Sequence, residues 1–133
     1  MRAVFFATIV SLAMTLPGCT GANPTRTAAP IGQPIPMAPG QQIALPDGAT
    51  LRYVEVAADS RCPPGVQCIR AGDADVVFEF TDKVAEAAQA PRRLTVNTDP
   101  PATATIGQWQ LRLLTLAFGE SPKATVQIDP AAR

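Results

Sequence analysis

Chemistry in this chain has few places to reside. Of its three cysteines, Cys19 stands near the start, while Cys62 and Cys68 enclose five residues, Pro63-Pro64-Gly65-Val66-Gln67. Histidine is absent, which excludes Ser-His-Asp triads, Cys-His pairs and zinc sites built on imidazole. Past Cys19 the only serines are Ser60 and Ser121. Asp59, Asp73 and Asp75 flank the cysteine pair, and carboxylates can do acid–base work. Asp73 and Asp75, however, open an alternating segment, where charged side chains face solvent. Two thiols with these carboxylates form a mixed donor set that suits no common metal. Redox-active cysteine pairs usually enclose two residues rather than five. No Gly-rich phosphate loop is present. The expectation is a protein without enzymatic activity, cofactor or metal.

The cysteine pair reads better as a staple. Proline fixes φ and glycine accepts positive φ, so Pro63-Pro64-Gly65 turns the chain back and brings Cys62 within disulfide reach of Cys68. Closing so small a ring stabilises a domain by about 2–2.5 kcal/mol. Asp59-Ser60-Arg61 precedes it. Asp and Ser side chains accept backbone N–H bonds and fix turns, and Arg61 can pair with Asp59, Asp73 or Asp75. These polar residues are expected to tie the loop to a sheet edge. A second role stays open beside that one: an interaction loop carrying Asp59, Arg61, Gln67 and Arg70.

The elements that must position this loop are strands. Ile43 and Leu45 alternate with polar or small neighbours, and Pro46-Asp47-Gly48 signals a turn. Leu51 to Val56 forms a half-buried strand. In Asp73 to Thr81, Val76, Phe78 and Phe80 share one face. Leu94, Val96 and Thr98 alternate, as do Ala124, Val126 and Ile128. Trp109, Leu111 and Leu113 share a face; the phase then slips by one, and Leu114, Leu116 and Phe118 continue it, as a β-bulge would require. Six or seven short strands with period-two patterning predict an all-β domain, a single small antiparallel β-sandwich or barrel-like unit over residues 41–130. Lys83 to Ala90 is rich in helix formers and is compatible with two helical turns or a loop.

The N-terminal segment has a different character. Arg2 is followed by an uncharged, mostly apolar run over residues 3–16, shorter than the ~20 residues that span a bilayer. It fits a secretion signal. Residues 20–40 hold five prolines and three glycines without apolar periodicity. They read as a semi-extended linker reaching up to roughly 60 Å. Basic and acidic residues balance at eleven each. Loss of Arg2 with the signal leaves a net charge of −1. That balance argues against nucleic acid as a partner.

Leu16-Pro17-Gly18-Cys19 resembles the lipobox of bacterial lipoproteins. The resemblance implies a signal peptide over residues 1–18, cleavage before Cys19, and acylation of the Cys19 thiol and its new amino group. It implies a membrane partner through the lipid on Cys19, with residues 19–40 as the tether. A multiply acylated cysteine is held stably where a single chain would not be. Thr20 in place of aspartate implies the outer rather than the inner membrane, facing the periplasm or the cell surface. Asp59-Ser60-Arg61-Cys62-Pro63, then Cys68 and Ala71-Gly72, resemble a β domain of small bacterial lipoproteins. That resemblance supplies fold and location but no activity. The expected role is a non-catalytic envelope module that binds a protein partner. The alternatives are a structural envelope component and, at greater distance, a metal-binding or redox protein.

Overall fold

A computed structural model describes residues 28–83 and 90–132. The expected signal peptide, Cys19 and most of the segment 83–90 lie outside the described residues. Eight strands follow in order: β1 (Ile35–Met37), β2 (Gln42–Ala44), β3 (Thr50–Asp59), β4 (Ala74–Thr81), β5 (Arg92–Asn97), β6 (Thr103–Ile106), β7 (Trp109–Leu116) and β8 (Ala124–Pro130). They form two antiparallel four-stranded sheets, ordered β1-β8-β7-β6 and β2-β3-β4-β5. The fold is the all-β sandwich that the alternating pattern predicts.

Alternation places one row of side chains from each strand between the sheets. Leu51 and Tyr53 of β3, Val76 and Phe78 of β4, Val96 of β5, Leu111 of β7 and Val126 and Ile128 of β8 are fully buried there. The Tyr53 and Phe78 rings meet at 5.5 Å. The Tyr53 hydroxyl donates to the Pro122 carbonyl at 2.8 Å, joining β3 to the β7–β8 connection of the opposite sheet. Burial raises the Tyr53 pKa, against the opposing pull of the Arg61 charge.

Of the linker expected over residues 19–40, the part from 28 to 40 requires correction. Ile35 and Met37 are core residues, and Ile35, Pro36 and Met37 pair with Val126, Thr125 and Ala124 of β8. Ala29 is buried too, and its N–H donates to the Ala44 carbonyl at 2.8 Å. The domain therefore includes residues from 28 onward rather than starting at 41. Pro36 is tolerated because β1 lies at a sheet edge, where a missing N–H costs no ladder bond.

The expected slip in β7 is present as a register shift between Leu113 and Thr115. Its consequence differs from the expectation. Leu114, inside that shift, and Phe118, beyond the strand, are 38% and 46% exposed, while Leu116 returns to the core. A bulge leaves its extra residue unpaired, and here Leu114 occupies that place.

The sandwich has two distinct poles. At the Thr50 end of β3, the Pro46-Asp47-Gly48 turn meets the β6–β7 turn. Asp47 accepts from Ala49 N–H (3.0 Å), Gln108 Nε2 (2.9 Å) and Trp109 Nε1 (2.7 Å). Burial alone would raise the Asp47 pKa, but these hydrogen bonds outweigh it and hold the carboxyl below its ordinary value. Ala28 enters at this pole, bridged to Ala44, which pairs with Thr50. The cysteine loop leaves β3 at the other pole.

Candidate functional site

β3 and β4 continue past their ladder into a narrow neck. Ser60 N–H donates to the Asp73 carbonyl, and Cys62 N–H to the Ala71 carbonyl, both at 2.8 Å. Ser60 Oγ donates to the Asp73 carbonyl at 3.0 Å and accepts Asp73 N–H at 3.2 Å. The strands cross so closely that a Cβ on Gly72 would lie 1.9 Å from the Ser60 carbonyl oxygen. Gly72 also holds φ at +66°, a conformation other residues adopt with strain. The Ala71-Gly72 pair thus has a mechanical reason.

Beyond the neck, a Cys62–Cys68 disulfide closes the loop, with Cα atoms 5.9 Å apart. Gly65, at φ +79°, makes the turn inside it, and Val66 N–H donates to the Pro63 carbonyl at 3.2 Å.

Arg61 braces this loop against the opposite sheet. Its Nε and Nη2 donate to the two Asp59 carboxylate oxygens at 2.9 and 2.6 Å. Nη1 donates to the Leu116 carbonyl at 2.6 Å, and Nη2 also reaches the Ala117 carbonyl at 2.9 Å. The guanidinium lies 4.2 Å from the centre of the Phe118 ring. Asp59 further accepts Arg61 N–H at 3.0 Å. The Arg61 hydrogen bonds hold the Asp59 carboxyl below its ordinary pKa, with the Arg61 charge adding to the effect and burial opposing it. The same partner raises the pKa of Arg61.

The candidate residues therefore divide. Asp59 and Arg61 serve the fold: the Arg61 side chain is only 12% exposed, and its donors are turned inward. Gln67 and Arg70 are exposed at the surface. Two residues outside the sequence-based set join them: Ile69 and Val66 are 105% and 57% exposed. Two apolar side chains inside a stapled, proline-rich loop are the signal that could have marked them.

The acidic side of the neck is internally bonded as well. Asn97 Nδ2 donates to Asp73 at 2.5 Å and to Asp75 at 2.8 Å. Among the described residues no group of three side chains is placed to hold a metal ion. A cleft of about 460 Å³ runs along the neck between Arg70, Gly72, Asp73 and Asp99. At this pole a stiff loop presents two aliphatic side chains, an amide and a guanidinium. No protein family, curated protein or solved structure matches the chain.

Proposed function

We propose that this chain is a bacterial lipoprotein, anchored through Cys19, whose β-sandwich is a non-catalytic binding module of the cell envelope. The observation that carries the binding role is the fully exposed Ile69 on a loop held by a disulfide, a glycine neck and an arginine brace. Fixing a contact surface before it meets its partner lowers the ordering entropy lost on binding. The anchor rests on the LPGC segment and the apolar run before it. Outer-membrane attachment facing the periplasm or cell surface follows from Thr20.

Labelled palmitate tests the anchor in cells expressing the full chain. Incorporation into the chain, abolished by Cys19→Ser, is the expected result. No incorporation, or incorporation that survives Cys19→Ser, overturns it.

A further inference from the structure

We propose that the tip of the cysteine loop is a docking knob: Val66 and Ile69 enter an apolar pocket on a partner protein whose rim carries carboxylates that meet Arg70. This deepens the binding-module reading and rests on it.

The tip has the composition of an insertion element. Residues 62–69 carry no charge, and Arg70 follows immediately. None of the ion pairs among the described residues includes Arg70. Exposed apolar surface of this kind is favourably removed from water. The stapled loop cannot fold Ile69 back into its own core, because the disulfide and the neck bonds fix its path.

The choice of occupant follows from shape and direction. Ala28 enters beside Ala44 at the Thr50 end of β3, whereas the loop leaves from Asp59. Those ends lie about 30 Å apart along a ten-residue strand. Cys19 precedes Ala28 by nine residues, a span of at most about 30 Å. A chain held at Cys19 is thus tethered at the pole opposite the loop, which favours a protein over lipid. A second copy fits poorly. Three clefts among the described residues carry charged groups on their walls: Arg52 and Glu79, Asp47 and Lys83, and Arg70 and Asp73.

The test places p-benzoylphenylalanine at Gln67 of the full chain in intact cells, with the same residue at exposed Gln42, near the opposite pole, as control. The expected result is one discrete protein adduct from position 67 and none from 42. Its yield falls about tenfold with Val66→Ser plus Ile69→Ser, while the melting temperature of that variant stays at the wild-type value. The captured protein, once purified, binds the Ile69→Ser chain about tenfold more weakly, and Arg70→Glu weakens it several-fold in low salt. An adduct indifferent to the serine changes overturns the knob while leaving the binding module standing. Indifference to Arg70→Glu overturns the acidic rim. Adducts with lipid, or with a second copy of the chain, overturn the choice of partner. Absence of any adduct above the Gln42 control overturns the binding module itself, whatever the palmitate result.

Discussion

Replacing Arg61 by alanine is expected to destabilise the domain by about 2–3 kcal/mol, the sum of three unequal contacts. The Arg61–Asp59 ion pair is the most visible interaction but not the largest. Asp59 is 34% exposed, so solvent screens the pair, and such pairs contribute less than ~1 kcal/mol. The bonds to the Leu116 and Ala117 carbonyls are made by a side chain only 12% exposed. Each is worth about 1 kcal/mol. The Phe118 contact adds about 0.5 kcal/mol. For a domain of this size the melting temperature should fall by about 10–15 °C, read by circular dichroism on the purified chain. Asp59→Ala should cost about 1 kcal/mol, because it leaves the carbonyl bonds in place. Arg61→Lys should recover less than half of the loss, since an ammonium cannot make the forked contacts. A loss at Asp59 equal to or larger than that at Arg61 would refute the brace and leave an ordinary surface ion pair.

Three further outcomes follow from the same geometry. Gly72→Ala drives a Cβ to 1.9 Å from the Ser60 carbonyl oxygen at a positive φ, so it should cost more than ~3 kcal/mol, whereas Gly40→Ala, which meets nothing within 4 Å, should cost far less; denaturant titration compares them. The Asp47 carboxyl is held below its ordinary value of 3.8, so its stabilisation is full above that pH and fades as pH falls through the lowered native value. Unfolding followed between about pH 5 and pH 2 should therefore show Asp47→Asn less stable than wild type at the upper end, with the gap closing at the lower. Tyr53→Phe removes the hydroxyl that donates to Pro122 and should lower stability by about 1–1.5 kcal/mol without changing the fold, as thermal melts with matched far-ultraviolet spectra will show.

The strands legible in the sequence are those with one wet and one dry face. In β4 and β8 every second residue is apolar, and this period survives because each strand has neighbours on both sides. β1 is hidden by its proline and β6 by its small polar residues, whereas the equally short edge strand β2 is legible from Ile43 and Leu45. Ile35-Pro36-Met37 looks like linker until β8 is beside it, and Thr103-Ala104-Thr105-Ile106 offers little apolar contrast. The slip in β7 was visible, but which leucine swings out was not, since Leu113 and Leu114 are chemically identical and only the pairing with β8 tells them apart. At the site, the cysteine spacing carried its own meaning because five residues with Pro63-Pro64-Gly65 dictate a turn. The destination of Arg61 was hidden. Its acceptors are backbone carbonyls 55 and 56 residues away, and a carbonyl leaves no trace in residue type.

The intact mass of the chain purified from membranes tests the proposed lipid on Cys19 and the Cys62–Cys68 staple at once. The predicted mass is that of residues 19–133 carrying acyl groups on Cys19 and lighter by the two thiol hydrogens of Cys62 and Cys68, with the single tryptic peptide 62–70 gaining those hydrogens on reduction. A chain retaining residues 1–18, or one whose three cysteines all react as free thiols, would contradict it.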